Sequence, residues 1–147
     1  MSIFPSVVSD VTTSTSTNPF FAGSVADLIL LIDDDDFIAD VVQQILTRSG
    51  KRVLRARNGT EGERMFDEHQ SEISLVMLDR FLPDIDGVTV CRALRNKAPK
   101  LPMILMSGMD VPAAAELARK GPTVFLSKPF FASEVRELVE SQLGAIM

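Results

Sequence analysis

Short runs of aliphatic residues alternate along the chain with longer segments in which apolar residues recur every three or four positions. The runs span residues 28–32, 53–56, 75–78, 102–106 and 123–126. They are apolar at nearly every position, which is typical of parallel strands that are buried on both faces. The pattern therefore predicts five strands of a buried parallel sheet.

The segments between the runs have the period of amphipathic helices. Ile38, Val42 and Ile45 share one helical face after the first run, and Val135 and Val139 share one near the C-terminus. Glycines and prolines separate the segments. Five strand–helix units joined by right-handed crossovers predict an α/β fold, with a doubly wound parallel sheet between two layers of helices.

The N-terminal segment has a different composition. Nine of the first 18 residues are Ser or Thr, so this part has little apolar surface to offset the entropy lost on ordering. We predict a flexible Ser/Thr-rich arm over residues 1–26 and a single domain over residues 27–147. The alternative is that Phe20 and Phe21 dock on the domain or on a second copy.

Charge and composition exclude several classes of protein. The 147 residues, 46% hydrophobic, suit one domain with a core. The net charge is −5, but the 15 basic and 13 of the acidic residues follow Thr47, so that part carries about +2 and offers no basic cluster for nucleic acid. One cysteine (Cys91) and one histidine (His69) argue against a disulfide or a zinc site. With a single cysteine, the reducing cytoplasm is the expected location. No segment reaches the roughly 18 apolar residues of a membrane span, so we expect a protein that binds neither nucleic acid nor membrane.

Polar residues follow four of the predicted strands. Asp33 and Asp34 follow the first strand, Asp79 the third, Ser107 the fourth and Lys128 the fifth. The carboxyl ends of parallel strands share one edge, and in the common order 2-1-3-4-5 the first and third strands are neighbours. Three crowded carboxylates raise each other's pKa values, and a hard divalent cation such as Mg²⁺ relieves that repulsion. This edge is therefore the candidate site.

Four motifs in this order resemble one family. They are "ILLIDDDD", "LVMLDRFLPDIDG", "MILMSG" and "FLSKPF". Together they resemble the receiver domain of two-component response regulators over residue 28 to about residue 144. The resemblance implies a flavodoxin-like (βα)5 sandwich with strand order 2-1-3-4-5.

The resemblance also assigns roles to the acidic residues. Asp79 would be the phosphoacceptor, and its carboxylate can attack an activated phosphoryl group as a nucleophile. Asp34 would bind Mg²⁺ directly and Asp33 directly or through water, while the backbone carbonyl of Phe81 completes the protein's ligands.

Residues on the fourth and fifth strands would act on the phosphoryl group. Lys128 would stabilise its oxygens, and the peptide bond to Pro129 would be cis, as in the family's Lys-Pro pair. Ser107 would donate a hydrogen bond after transfer. Ser107 and Phe125 match the family's switch positions, although a phenylalanine that stays in the core in both states is the alternative.

Function follows from this resemblance. We expect phosphorylation by a histidine kinase or a histidine phosphotransfer protein, and signalling through the face of helix 4, strand 5 and helix 5, with a homodimer as one option. The alternatives are a phosphate sink or shuttle in a phosphorelay and a receiver module of a hybrid kinase. The chain would not be an enzyme, apart from catalysing its own phosphorylation and dephosphorylation. An enzyme of the same architecture is disfavoured, because the sequence contains neither a "DxDxT" motif after a strand nor a phosphate-binding Gly-rich loop.

The remaining acidic residues and one arginine have structural interpretations. Asp35 and Asp36 suit the start of the first helix, and Asp86 suits the cap of the third. Asp84 is interpreted as a solvated loop charge. Arg80 contacts a donor or partner or has a plain surface role, and these alternatives stay open.

Overall fold

Residues 25–144 are described by the structure, which is a computed structural model. The predicted N-terminal arm therefore lies outside the described residues except for its last two. The predicted division between arm and domain stays a prediction.

Five strands and five helices alternate along the described chain. The strands are β1 (Leu28–Ile32), β2 (Arg52–Ala56), β3 (Ile73–Asp79), β4 (Met103–Ser107) and β5 (Thr123–Ser127). The helices are α1 (Asp36–Arg48), α2 (Gly59–His69), α3 (Gly87–Lys97), α4 (Ala114–Lys120) and α5 (Ala132–Gly144). The predicted strands are confirmed, with ends that differ by at most two residues.

All neighbouring strands in the sheet are parallel, and their order is β2-β1-β3-β4-β5. The predicted doubly wound fold is confirmed. β1 and β3 are adjacent at the centre, and β5 forms one edge. The carboxyl ends of β1 and β3 therefore lie side by side, where the acidic residues follow.

The core consists of two apolar layers, one on each face of the sheet. In β1, Leu28, Leu30 and Ile32 pack in the layer that includes Phe66 of α2. Alternate residues of the same strand pack on the other face, against α1 and α5. Both faces are covered, so β1 is apolar at every position, as the sequence pattern indicated.

Arg95, at the end of α3, is a buried charge with a structural role. Its guanidinium donates hydrogen bonds of 2.6–3.1 Å to the carbonyls of Ala98, Pro99, Leu101 and Pro122 and to the hydroxyl of Thr123. A Cβ at Gly121 would lie 2.5 Å from this guanidinium, so the close approach requires glycine there. Arg95 thus ties the α3–β4 connection to the start of β5.

Within residues 25–144, no helix has the length and apolar content needed to cross a membrane. The cytoplasmic location expected from the sequence stays a prediction.

Candidate functional site

The β1–α1 loop gives its four aspartates different environments. Asp33 is fully buried, and its Oδ1 accepts a hydrogen bond from the Asp35 N–H at 3.0 Å. Asp34 is exposed. Asp35 caps α1 by accepting from the Ile38 N–H at 3.2 Å, which confirms the capping prediction. Asp36 lies in the first turn of α1, as predicted, and the loop therefore leaves two carboxylates for the sheet edge.

Three carboxylates converge where β1 and β3 end. One carboxylate oxygen each from Asp33, Asp34 and Asp79 lies within 4.8 Å of the others. Asp79 is 6% exposed, and its Oδ2 lies 3.1 Å from the Lys128 ammonium nitrogen. The structure thus brings together the acidic residues and the lysine that the sequence predicted, and Asp79 is close to all of them.

Burial sets the electrostatics of Asp33. Desolvation, against the lowering effect of the Asp35 N–H and with a smaller contribution from the charge of Asp79, raises the pKa of its carboxyl to about 6. Asp33 Oδ2 is buried and has no hydrogen-bond partner. Burying a carboxylate oxygen without a partner costs free energy, so this atom is suited to serve as a ligand of a cation.

Ser107 ends β4 close to this cluster. Its hydroxyl donates to the Met109 carbonyl at 2.8 Å and accepts from the Met109 N–H at 3.1 Å. The hydroxyl therefore bonds its own loop in this structure. Ser107 and the half-buried Phe125 line one cavity of about 310 Å³ beside α4. Their predicted switch roles stay predictions.

Lys128 follows β5 and is half-buried, and its ammonium group pairs with the Asp79 carboxylate. The Lys128–Pro129 peptide bond is cis, as the resemblance implied.

Two acidic residues in the β3–α3 loop organise nearby helices. Asp86 caps α3 by accepting from the Val88 N–H at 2.7 Å, which confirms that prediction. Asp84 is exposed on this loop, in agreement with its interpretation as a solvated charge, but it also has hydrogen-bond partners that the sequence did not indicate. Its carboxylate accepts hydrogen bonds from the N–H groups of Gly59 and Thr60 and from the Thr60 hydroxyl, at 2.7–2.9 Å. Asp84 therefore holds the β3–α3 loop against the start of α2.

The pKa of Asp84 reflects these contacts. Partial desolvation raises it, but the hydrogen bonds from Thr60, from Gly59 and within its own loop outweigh that effect and lower the pKa to about 2. The hydrogen bonds of the loop thus stabilise the ionised form of the Asp84 carboxyl.

Gly87 lets the start of α3 approach the end of β3 closely. A Cβ at this position would lie 2.3 Å from the Asp79 carbonyl oxygen and 2.7 Å from the Arg80 Cα. No side chain fits at those distances without moving the backbone. The glycine is therefore required for the position of Asp79.

Arg80 connects two loops at the site. Its Nη1 donates to the Asp110 carbonyl at 2.8 Å, and its guanidinium carbon lies 5.0 Å from the centre of the Phe81 ring. The β3–α3 loop is thus tied to the β4–α4 loop. The two alternatives for Arg80, a contact with a donor or partner and a plain surface role, stay open. The structure shows in addition an internal contact that the sequence did not indicate.

Arg55 is a residue beside the site that the sequence pattern did not indicate. It lies near the end of β2, and its side chain reaches the Asp33 carbonyl and the Asp36 carboxylate. The available signal was an arginine within the otherwise apolar run of residues 53–56, beside the strand that the aspartates follow. Strand order would have been needed to interpret it.

Comparison with known proteins identifies relatives over most of the described chain. The family model for the response regulator receiver domain matches residues 29–140. The alkaline phosphatase synthesis transcriptional regulatory protein PhoP of Bacillus subtilis is 31% identical over 116 residues, 78% of this chain and 48% of the relative. The sensor kinase CckA of Brucella abortus is 32% identical over 119 residues, 78% of this chain and 13% of the relative. The chain thus spans about half the length of PhoP and a small part of CckA.

Solved structures give the same result. A response regulator receiver domain protein from Clostridium thermocellum is 27% identical, with a TM-score of 0.75 over 81% of this chain and 95% of that one. The receiver domain of the hybrid histidine kinase CckA is 28% identical, with a TM-score of 0.68 over 79% of this chain and 98% of that one. By sequence and by fold, the chain belongs to the response regulator receiver domain family.

Proposed function

We propose that this chain is a Mg²⁺-dependent phosphoacceptor that receives a phosphoryl group on Asp79 from a histidine kinase or a histidine phosphotransfer protein. The observation that carries this proposal is the placement of Asp79. Its carboxylate has an oxygen within 4.8 Å of carboxylate oxygens of Asp33 and Asp34, and its Oδ2 lies 3.1 Å from the ammonium nitrogen of Lys128. A nucleophile with both an acidic cation site and a positive charge beside it is suited to phosphoryl transfer.

The residues present fit a magnesium ion. Mg²⁺ prefers oxygen ligands, and this edge of the sheet offers carboxylates of Asp33, Asp34 and Asp79, with the Phe81 carbonyl as the fourth proposed ligand. The partnerless, buried Oδ2 of Asp33 supports this fit. When bound, the ion would neutralise the clustered carboxylates and the charge on the phosphoryl oxygens.

The transfer step uses the chain's own carboxylate and ammonium groups. A carboxylate oxygen of Asp79 forms a bond to phosphorus while the phosphorus–nitrogen bond of the donor's phosphohistidine breaks. The electron pair of that bond stays with the imidazole. Lys128, now 3.1 Å from Asp79, stabilises the negative oxygens of the transferred group, and Ser107 donates a hydrogen bond to one of them. The chemistry of the chain is confined to its own phosphorylation and dephosphorylation.

A small phosphodonor tests this proposal. We expect the wild-type chain to gain one phosphoryl group from acetyl phosphate in millimolar Mg²⁺, in an acid-stable, base-labile linkage. Intact mass spectrometry with and without Mg²⁺ measures the gain. An unchanged mass at saturating donor and metal would contradict the proposed function.

Magnesium is expected to stabilise the fold. The ion relieves repulsion among three carboxylates, and binding adds RT ln(1 + [L]/Kd), about 1.4 kcal/mol when free metal is tenfold above Kd. Asp34→Ala should remove most of this gain, whereas Asp110→Ala, an exposed aspartate on the β4–α4 loop, should keep it. Thermal melting with Mg²⁺ or EDTA is the measurement. Equal gains in wild type and Asp34→Ala would argue against the assigned ligand.

Signalling is proposed to use the face formed by α4, β5 and α5. β5 is an edge strand, so a partner can approach this side of the sheet. In the Ala113, Ala114 and Ala115 series, only Ala115 is exposed, and its small side chain allows close approach. Ala115→Arg should therefore weaken phosphorylation-dependent assembly or target binding, while Gln44→Arg, on α1, should not. Light scattering of phosphorylated samples measures the assembly, and equal behaviour of the two variants would exclude this face.

A phosphate sink or shuttle in a relay is the second candidate. The likeness to the receiver domain of the hybrid histidine kinase CckA favours it, because that receiver is part of a kinase chain. Rapid return of the phosphoryl group to a histidine phosphotransfer protein would support the shuttle. Phosphorylation-dependent capture of a target would support the regulator.

A further inference from the structure

The side chain of Arg55 makes three contacts with the loop that carries the acidic cluster. Its Nε and Nη2 donate to the Asp33 carbonyl oxygen at 3.1 and 2.8 Å. Its Nη1 lies 3.0 Å from Asp36 Oδ1. The side chain is 13% exposed, so these contacts are largely shielded from water. We infer that Arg55 is a positioning residue for the metal-binding carboxylates, an inference that rests on the proposed function.

The backbone of Asp33 is held on both sides. Its N–H donates to the Ala56 carbonyl at 3.0 Å, which continues the pairing of β1 with β2. Its carbonyl accepts the two hydrogen bonds from Arg55. Neighbouring residues of β2 therefore fix both polar groups of the residue whose carboxylate enters the site.

Holding this carbonyl also orients Asp34. The Asp33 carbonyl and the Asp34 nitrogen share one planar peptide unit, so the position of the oxygen fixes the plane between the two Cα atoms. Those Cα atoms carry the carboxylates of Asp33 and Asp34. One guanidinium group thus sets the relative orientation of two proposed ligands without touching either carboxylate.

The contact with Asp36 extends the same effect to α1. Asp36 lies in the first turn of that helix, three residues after Asp33, and pairs with both Arg55 and Arg57. Arg55 therefore spans the loop from its start to its end. The guanidinium of Arg57 pairs with Asp36, and its side chain is 61% exposed, which makes Arg57 a control that shares the charge and the ion pair but not the contact with Asp33.

Charge and geometry predict opposite effects on metal affinity. Removing a positive charge near the acidic cluster strengthens cation binding if electrostatics dominates. Loss of the guanidinium fork weakens it if positioning dominates, because the Asp33–Asp34 peptide is then free to rotate. A lysine retains the charge but not the planar fork, so Arg55→Lys separates the two effects.

Titration of Mg²⁺ into the metal-free protein tests the inference. Isothermal titration calorimetry is suitable because the chain has no Trp or Tyr for fluorescence. Wild type, Arg55→Ala, Arg55→Lys and Arg57→Ala are compared, with Asp34→Ala as the reference for lost binding. We expect Kd to rise about tenfold in both Arg55 variants, as is typical for residues that orient metal ligands, and to change less than about twofold in Arg57→Ala.

Melting temperatures without metal accompany the titrations. A merely structural role would lower the melting temperature of the Arg55 variants and leave Kd unchanged among the folded molecules. Wild-type affinity or tighter binding in Arg55→Lys would overturn the inference, as would an equal loss in Arg57→Ala. Failure of wild type itself to bind Mg²⁺ would overturn the proposed function together with the inference, so the two failures are distinguishable.

Discussion

Replacing Asp79 by asparagine is expected to abolish phosphoryl labelling from acetyl phosphate. The amide has nearly the shape of the carboxylate but lacks the negative oxygen that attacks phosphorus. Asp79 is 6% exposed at the end of β3 and pairs with Lys128, so the substitution removes the proposed nucleophile from the site. Intact mass spectrometry of wild type and Asp79→Asn under identical donor and Mg²⁺ concentrations is the measurement.

Asp110→Asn provides the matched control. This aspartate is exposed on the adjacent β4–α4 loop, where its backbone carbonyl accepts from Arg80 regardless of the side chain. It should label like wild type. Labelling of Asp79→Asn to the wild-type extent would show that another residue accepts the phosphoryl group.

The thermal stability of Asp79→Asn should not fall together with its phosphoryl labelling. Without metal, Asp79→Asn removes one of three mutually repelling carboxylates, so the variant should melt no lower than wild type. Loss of the ion pair with Lys128 acts against this gain, but the lysine side chain is 26% exposed and can be hydrated. Folded protein that fails to accept phosphate therefore separates a chemical role from a structural one.

The strands were predictable because burial on two faces leaves a simple pattern. Each position of β1 lies in one of the two core layers, so an uninterrupted aliphatic run marks the strand without knowledge of its neighbours. The last residues of the strands were harder to predict. Asp79 and Ser107 are the last residues of β3 and β4 although both are polar, because main-chain pairing continues past the apolar run.

Strand order and the site were predictable through the motifs and their resemblance to a family. Polar residues after strands 1, 3, 4 and 5 point to one edge of any parallel sheet. In the order β2-β1-β3-β4-β5, β1 and β3 are adjacent, and this adjacency brings one carboxylate oxygen each of Asp33, Asp34 and Asp79 within 4.8 Å of the others. The order came from the common arrangement and the resemblance, because periodicity contains no information about which strands are neighbours.

Roles that depend on distant side chains were not predictable. Asp84 was interpreted only as a solvated loop charge, because its partners Gly59 and Thr60 are 25 and 24 residues away in sequence. Arg55 contacts Asp33 across 22 residues. Local patterns do report contacts within one turn, such as the caps formed by Asp35 and Asp86. Long-range hydrogen bonds become visible only once the strands are placed.

The lifetime of the phosphorylated state is expected to depend on two exposed apolar side chains. In the family, the residues two after the phosphoacceptor and two after the strand 4 hydroxyl border the path of the hydrolytic water, and here they are Phe81 and Met109. Phe81 is 53% exposed and Met109 67% exposed. The ring of Phe81 lies against the Arg80 guanidinium, which is itself anchored to the Asp110 carbonyl. These contacts limit the freedom of the Phe81 ring beside the site.

Neither side chain offers a strong hydrogen bond to a water molecule, so the water that attacks phosphorus is not positioned by them. Hydrolysis of the aspartyl phosphate should be slow for a receiver. Phe81→Asn and Met109→Glu should each speed the decay about tenfold or more, because both introduce a group that can orient a water. Loss of labelled phosphate after the donor is removed measures the rate.

Two controls separate polarity at these positions from general effects. Phe81→Leu keeps an apolar side chain and should retain the slow decay, and Phe131→Asn changes a phenylalanine that is 77% exposed just before α5 and should do the same. If wild type already loses its phosphate as fast as Phe81→Asn and Met109→Glu, the prediction that Phe81 and Met109 slow hydrolysis is wrong. Persistence would then be set by a separate phosphatase or by return of the phosphoryl group to the histidine donor.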